Sequence, residues 1–121
     1  MDRVIKIGET RVLMFGCEGP RLQSLQDAND FLSAAWSQQA DLLAIPSERL
    51  GPDFLTLSTR VAGEVFQKFV NYHLRCAIVG DISIALEDSR ALRDFVRETN
   101  QGNLVWFVAD VDELGSKLAA V

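Results

Sequence analysis

Three short stretches of almost uninterrupted apolar residues constrain the fold of this chain more than any other feature. They cover residues 41–45, 75–79 and 103–109, and each is followed, directly or after a loop, by a segment with helical periodicity. A strand buried on both faces needs apolar side chains on both, so such stretches are typical of parallel strands covered by helices. The alternation predicts an α/β sheet whose right-handed crossovers place these strands side by side.

The N-terminal segment predicts a β-hairpin. Gly8-Glu9 lies between two β-rich stretches, residues 4–7 and 10–15, and a Gly-X pair in that position suits a two-residue turn. The predicted order of elements is therefore ββαβαβαβα, in a single mixed β-sheet with one antiparallel strand. Because no linker or internal repeat divides the chain, we expect residues 1–121 to form one α/β domain.

The first two helices are predicted at residues 24–39 and from Ser58 or Thr59 to residue 73, since a Ser or Thr side chain can accept a hydrogen bond from a first-turn amide. The residues that follow the helical spacing, and are therefore predicted to be buried, are Leu25, Ala28, Phe31, Leu32, Ala35 and Trp36 in the first helix and Ala62, Val65, Phe66, Phe69 and Val70 in the second.

The last two helices are predicted from their terminal residues. Ser89 begins one of them, and Gly102 ends it as a left-handed cap. Asp110, with Glu113 three residues later, resembles the reciprocal capping pair of the final short helix.

The charge balance and the apolar pattern exclude several classes of partner. The chain has 17 acidic and 12 basic side chains and a formal net charge of -5. A dedicated nucleic-acid binder needs clustered Lys and Arg, so no nucleic acid is expected. No apolar stretch approaches the ~20 residues of a membrane helix, so no membrane is expected either. The absence of an apolar signal segment, with only two cysteines, predicts a cytoplasmic location.

No catalytic residue, cofactor or metal is predicted. Neither a phosphate-binding glycine loop nor a dinucleotide fingerprint is present. Cys17, His73 and Cys76 lack the spacing and the fourth ligand of a zinc site, and no residue orients a cysteine–histidine pair. Asp81 and Asp110 each follow an apolar strand, but the acidic pair and the lysine of a response-regulator receiver are missing, which favours simple loop and capping roles for both.

The C-terminal half carries motifs that resemble a bacterial family known only as a domain of unknown function. At Thr56 that family is expected to have an acidic residue, so no role of such a carboxylate is carried over to this chain. The residues that carry the resemblance are Ala62-Gly63-Glu64, Gln67-Lys68-Phe69, Asn71-Tyr72, Ala77-Ile78-Val79-Gly80-Asp81, Ser83, Ser89, Leu92-Arg93-Asp94-Phe95, Glu98, Asn100 and Gly102.

The layout also resembles the STAS domain, the fold of anti-sigma factor antagonists and of sulphate-transporter tails. The resemblance implies that a helix following a strand and a loop begins at a Ser or Thr that a partner kinase phosphorylates. Ser58 and Thr59 occupy that place and are therefore the phosphoacceptor candidates, although helix capping alone would also explain both. On this basis the chain is predicted to be a regulatory, protein-interaction module and not an enzyme.

The predicted partner surface combines the outer side of the second helix with the loop after the next strand. Gly63 costs about 1 kcal/mol relative to alanine inside a helix, so we expect the protein's own sheet or a partner to approach it closely. Glu64 and Lys68 are spaced for a weak ion pair. The predicted partner-binding residues are Glu64, Gln67, Asn71, Tyr72, Asp81, Ser83 and Arg93, the last from an arginine-rich helix face that suits an acidic protein.

Two further hypotheses concern the same regions. Four helices are expected to leave part of one sheet face apolar and uncovered, which favours a homodimer. Because ligands of open α/β sheets bind at the carboxyl ends of the strands, Asp81, Ser83 and Ser89 also suit a small-ligand sensor or a small enzyme acting on acyl or phosphate groups.

Overall fold

The computed structural model describes residues 2–120 and contains one mixed sheet of five strands in the order β1-β2-β3-β4-β5. The first two strands are antiparallel, and every later neighbour is parallel. The predicted α/β class and the side-by-side placement of the apolar strands are therefore confirmed. The strands are β1 (Arg3–Ile7), β2 (Thr10–Met14), β3 (Leu42–Pro46), β4 (Arg75–Val79) and β5 (Val105–Val108).

The predicted hairpin is present at the N-terminus. Ile7 pairs with Thr10, so Gly8 and Glu9 alone form the turn. Gly8 has a φ of 61°, which a glycine adopts at little steric cost. The turn therefore adds β1 as an antiparallel edge strand beside an otherwise parallel sheet.

Between residues 2 and 120 there are five helices, one more than the sequence predicts, and the extra one is the short α3 between β4 and α4. Two single turns of 3-10 helix, Ser47–Arg49 and Leu57–Thr59, lie in the connection between β3 and α2. The helices are α1 (Ala28–Gln38), α2 (Val61–Asn71), α3 (Ser83–Asp88), α4 (Arg90–Gln101) and α5 (Val111–Ala120).

The core has two layers, one on each face of the sheet. Helices α1, α2 and α4 cover one face, where Phe31, Phe66 and Phe95 pack with alternate residues of the strands. On the other face, Leu114 of α5 joins the intervening strand residues. That second face was expected to be partly uncovered, but its central side chains are buried: Val12, Leu42, Ala44, Ala77, Trp106 and Val108.

The helices differ from the expectations at four points. Helix α1 begins at Ala28, one residue after Asp27, and both Leu25 and Trp36 are exposed although the helical spacing predicted them to be buried. Gly102 does end α4, but with a φ of -86° it is extended and not a left-handed cap. The helix that was expected to reach residue 73 ends at Asn71.

Two predicted caps are confirmed. The Ser89 hydroxyl oxygen accepts a hydrogen bond from the Leu92 amide at 3.1 Å. The Asp110 carboxylate accepts from the Glu113 amide at 2.9 Å, while the Glu113 carboxylate accepts from the Ala109 amide at 2.6 Å. This exchange satisfies the Glu113 amide of the first turn of α5 and the Ala109 amide that precedes the helix.

Asn100 closes the outer side of β5. Its side-chain oxygen accepts from the Phe107 amide at 2.7 Å, and its side-chain nitrogen donates to the Phe107 carbonyl at 3.2 Å. The carboxamide thus satisfies backbone groups that a further strand would otherwise use, which protects one edge of the sheet.

Arg49 is a buried cation held by backbone carbonyls, with 5% of its surface exposed. Its Nε donates to the Pro20 carbonyl at 2.8 Å, and its Nη1 donates to the carbonyls of Gly16 and Glu18 at 3.0 and 3.3 Å. The guanidinium also lies 5.3 Å from the centre of the Phe31 ring. The loop after β2 is therefore wrapped around one side chain.

We expect Arg49→Met to lower the free energy of unfolding by about 3 kcal/mol, because buried carbonyls that lose their donor pay a desolvation cost. Urea denaturation followed by circular dichroism measures the change. Arg90→Met, at an exposed position of α4, is the control and should change stability by less than about 0.5 kcal/mol. Equal effects of the two substitutions would show that the carbonyl contacts contribute nothing.

Candidate functional site

The topology brings the loops that follow β2, β3, β4 and β5 to one end of the sheet, which we call the carboxyl end. The three parallel pairs β2–β3, β3–β4 and β4–β5 run in the same direction, so their connections to helices leave from that end. Ligands of open α/β sheets bind there. Three cavities of about 390, 330 and 260 Å³ lie in this region, which makes it a candidate ligand site.

The largest of these cavities lies between the segments 47–55 and 81–85. Its polar lining consists of Ser47, Glu48, Asp81 and Ser83. Glu48 also lines the 330 Å³ cavity, while Asp81 and Ser83 also line the 260 Å³ cavity. The three cavities are therefore neighbouring parts of one irregular surface.

Asp81 and Ser83, which the sequence predicts as partner contacts, form one local unit at this surface. The Asp81 carboxylate accepts a hydrogen bond from the Ser83 amide at 2.9 Å. Hydrogen bonds from the Ser83 hydroxyl and then from its amide lower the pKa of the Asp81 carboxyl below its ordinary value. Asp81 is therefore a fixed negative charge at neutral pH.

Glu48 was not among the predicted site residues, and it gives the cavity a second carboxylate. The Cys17 thiol donates to one carboxylate oxygen at 3.6 Å, and the Ser47 hydroxyl donates to the other at 3.4 Å. Desolvation and the neighbouring Glu48 charge raise the pKa of the Cys17 thiol. The thiol is thus kept protonated, which argues against a nucleophilic cysteine here.

Gly80 allows the two walls of the 390 Å³ cavity to come together. Its φ is +141°, a conformation that residues with a Cβ rarely adopt. A Cβ at this position would collide with the Ser47 hydroxyl oxygen. Absence of a side chain at Gly80 is therefore required for the close packing of the loop after β4 against the loop after β3.

Ser58 and Thr59 lie in the 3-10 turn Leu57–Thr59 and are both exposed. Neither is the residue preceding α2, since that position is held by Arg60 in a left-handed conformation. The Thr59 hydroxyl nevertheless accepts from the Val61 amide at 3.3 Å and donates to the Thr56 carbonyl at 2.8 Å. Ser58 makes no such side-chain contact within the described part of the chain.

The polar candidates on α2 are paired locally or with α1. Gln67 donates from its side-chain amide to the Asn71 side chain at 2.9 Å. Lys68 was expected to pair with Glu64, but its ammonium instead donates to the Asn29 side chain of α1 at 2.6 Å. Tertiary packing therefore overrides the i,i+4 spacing, and Glu64 stays exposed.

Tyr72 belongs to an exposed aromatic pair that sequence reasoning missed. Its ring centre lies 5.5 Å from that of Trp36, with the two rings at 68°. The two side chains are 49% and 55% exposed. We call the outward side of α1 and α2 that carries Trp36, Tyr72, Gln67, Asn71 and Glu64 the α1–α2 surface.

Arg93 is occupied within the protein. Its guanidinium donates to the carbonyl of Leu86 at 2.6 Å and to that of Glu87 at 3.3 Å, which caps the C-terminal turn of α3. Arg97 forms an ion pair with Asp94 at 3.1 Å. The arginine-rich face of α4 is therefore partly satisfied by its own neighbours.

The cysteine and histidine candidates do not meet. Cys17 follows β2 at the carboxyl end, whereas His73 and Cys76 lie at the start of β4, at the opposite end of the sheet. Cys76 is fully buried, and this burial raises the pKa of its thiol. Within residues 2–120, no group of three or more His, Cys, Asp or Glu side chains is placed to hold a metal ion.

Comparison with known proteins identifies the family. A family model described as "Domain of unknown function (DUF4180)" matches residues 7–118. The chain belongs to this family. The predicted membership of a domain-of-unknown-function family is confirmed, and the match extends across most of the N-terminal half as well. No curated protein and no solved structure matches the chain.

None of the helices between residues 2 and 120 combines the length and the apolar character that crossing a bilayer requires.

Gly63 does not pack against the protein's own sheet. A Cβ at this position would meet no atom of the described structure within 4 Å. The expectation that the protein's own sheet approaches Gly63 closely is therefore wrong. Gly115 in α5 has equally open surroundings and provides a matched control.

We expect Gly63→Ala and Gly115→Ala each to raise the free energy of unfolding by about 0.5–1 kcal/mol, because alanine loses less backbone entropy in a helix. Urea denaturation measures both gains. A gain for Gly115→Ala alone would contradict the open environment of Gly63 in the folded monomer.

The ionisation of Asp81 makes part of the stability of the protein depend on pH. Because its pKa is lowered in the folded state, the ionised carboxylate stabilises the protein above the pKa of the unfolded chain, and this contribution is lost as the pH falls through the folded pKa. Ser83→Ala removes the hydroxyl and should raise the pKa of the Asp81 carboxyl, as measured by ¹³C NMR titration. Ser116→Ala on α5 is the control, and an identical titration in the Ser83 variant would contradict the assignment.

Proposed function

We propose that the protein is a non-enzymatic regulatory module that binds a protein partner through the α1–α2 surface. The observation that carries this proposal is the exposed pair of Trp36 and Tyr72. Aromatic side chains of this kind dominate the energetics of protein interfaces when a partner buries them. Their edge-to-face contact also holds both rings in place before binding, so little conformational entropy remains to be lost.

The polar residues around the aromatic pair support docking without a large desolvation cost. Lys68 is tied to Asn29, and Gln67 is tied to Asn71. Gln67 and Asn71 are neutral and paired with each other, and the Lys68 ammonium is already hydrogen-bonded, which resembles the polar rim of an interface. Glu64 and Asn71 are the proposed rim contacts, with Asp81 and Ser83 as a further contact at the carboxyl end of the sheet.

We propose Ser58 as the preferred phosphoacceptor and Thr59 as the weaker candidate. The Thr59 hydroxyl is engaged with the Thr56 carbonyl and the Val61 amide, so its phosphorylation would break contacts at the start of α2. Ser58 is exposed beside the positively polarised first turn of α2 and beside Arg60, both of which favour a phosphate. The added charge would act on the surface that α2 presents.

The STAS-like layout is part of the same proposal. It is supported by the order of the strands, with a hairpin followed by βα units that place each parallel strand next to its predecessor. It is also supported by the exposed hydroxyls between β3 and α2. We further propose a cytoplasmic location. Self-association is proposed as a second interaction, through the partly buried apolar residues Ile5, Ile7 and Met14 at the margin of the second sheet face.

The alternative function is that of a small-ligand sensor at the carboxyl end. The cavity of about 390 Å³ between the loops after β3 and β4 favours this alternative over an enzyme, because no nucleophile with a base accompanies it in the described residues.

The proposal is tested by quantitative affinity capture from native-host cells. Trp36→Ser/Tyr72→Ser should lose most of any specific partner, whereas Leu104→Ser, which removes an equally exposed apolar side chain elsewhere, should retain it. Ser58→Asp should alter capture, and Ser58→Ala should abolish phosphorylation seen by mass spectrometry. Full capture by the aromatic double variant would overturn the proposed surface.

A further inference from the structure

The cavity of about 390 Å³ at the carboxyl end combines an apolar lining with two carboxylates. Its apolar wall is formed by Leu50, Pro52, Leu55, Ile82 and Ile84. Ile84 is 77% exposed, which makes it the most exposed of the large apolar side chains in the described chain. An apolar side chain left in water at the rim of a cavity indicates a surface that a ligand can cover.

The charges at the cavity are all of one sign. Glu48 and Asp81 line it, and among the lining residues that the structure describes none is Lys, Arg or His. Neither carboxylate takes part in an ion pair, since the pair within residues 2–120 joins Arg97 and Asp94. The partners of the two carboxylates are hydroxyl, thiol and amide groups, which leave both negative charges uncompensated.

The walls are held in position without a ligand. The Ser83 amide fixes the Asp81 carboxylate, and hydroxyl and thiol donors fix Glu48 on the opposite wall. Gly80 packs against Ser47 where the two walls meet. A ligand therefore finds the carboxylates already oriented and loses little affinity to reorganisation.

The chemistry of the cavity selects one class of ligand. An anion would be repelled by both carboxylates, and a neutral apolar molecule would desolvate them without compensation. A bare metal ion lacks a third acidic, histidine or cysteine ligand in the part of the chain described. A cation with an apolar body would satisfy the carboxylates and cover the wall that ends at Ile84.

We propose that this cavity binds a small organic cation, an ammonium or guanidinium group carried on an apolar body. The positive group lies between Glu48 and Asp81, and the apolar body lies against Ile82 and Ile84. The volume is at the lower end of the roughly 300–1,000 Å³ of small-molecule pockets, so the ligand is smaller than a typical drug or nucleotide. This inference rests on the small-ligand alternative proposed above; the site includes Asp81 and Ser83 but none of the residues that define the α1–α2 surface.

The test is an NMR titration of the ¹⁵N-labelled full chain with three probes of equal length. Hexylammonium should give saturable shifts confined to the amides of residues 47–55 and 80–86, hexan-1-ol should bind much more weakly, and hexanoate should give no saturable shift there. Comparable binding of hexanoate, or shifts of hexylammonium spread over the whole surface, would overturn the proposal.

Charge-removing variants then locate the cation. Asp81→Asn keeps the oxygen that accepts from the Ser83 amide but removes the charge, and Glu48→Gln does the same on the opposite wall. Each should weaken hexylammonium binding by about fivefold, as expected for the loss of one charge partner near the protein surface. Glu98→Gln, an exposed position on α4, removes the same charge elsewhere and should leave binding unchanged. An equal loss in the Glu98 variant would show general electrostatic attraction and overturn the site.

Two further measurements distinguish a small organic cation from a basic peptide and this cavity from the α1–α2 surface. The peptide N-acetyl-Ala-Arg-Leu-amide tests a basic protein segment as the occupant, and saturable binding of this peptide without binding of hexylammonium would overturn the small-molecule assignment. Trp36→Ser/Tyr72→Ser should leave hexylammonium binding intact. Loss of binding in this folded double variant would show that the aromatic pair belongs to the site and would contradict the placement of the cation between Glu48 and Asp81.

Discussion

The buried guanidinium of Arg49 is the interaction on which the carboxyl end of the sheet depends. It donates hydrogen bonds to carbonyls of the loop after β2. Backbone hydrogen bonds then join the chain around Arg49 to Leu22, which follows that loop. The Leu22 amide donates to the Arg49 carbonyl at 2.7 Å, and the Gly51 amide donates to the Leu22 carbonyl at 2.9 Å. The same turn that sends Arg49 inward presents Ser47 and Glu48 at the cavity. One buried cation thus positions both the entry to α1 and one wall of the candidate site.

This arrangement also explains why glycine is required at positions 19 and 80. A Cβ at Gly19 would lie 2.8 Å from the Arg49 guanidinium carbon, and Gly19 has a φ of +139°. The loop can therefore close around the cation only with a glycine at that position. Gly80 has the corresponding role on the neighbouring loop, where it admits the Ser47 side chain. The two close approaches hold together a region that contains little regular structure.

The sheet was predictable because burial on both faces leaves a strong trace in the sequence. The apolar stretches before Pro46 and before Gly80 became β3 and β4. The six residues of α3 are too few to show helical periodicity, so that helix was missed. Trp36 follows the spacing of a buried stripe but lies near the end of α1, where it is exposed and packs edge-to-face with Tyr72. Spacing predicts which side of a helix faces inward, and it carries no information on how far the core extends.

The residues of the candidate site could be predicted together only where they lie close in the sequence. Asp81 and Ser83 lie two residues apart, so their unit could be predicted from local sequence. Glu48 joins them only because the loops after β3 and β4 are neighbours in space, and Arg49 is a basic residue in a loop, a pattern typical of a solvent-exposed position. Both depend on contacts between segments about thirty residues apart in the sequence, a separation that no local pattern reports.

The order of the strands has a consequence for how the protein is made. Each strand pairs with the strand that precedes it in the chain, from β1 to β5, so no pairing waits for a distant segment. Domains fold from the N-terminus during synthesis, so the partner of each new strand has already been made. A chain leaving the ribosome can extend its sheet by one strand and one helix at a time, with the growing edge always at the newest strand. At β5, Asn100, synthesised just before that strand, is already in place to occupy the Phe107 amide and carbonyl, which a sixth strand would otherwise use.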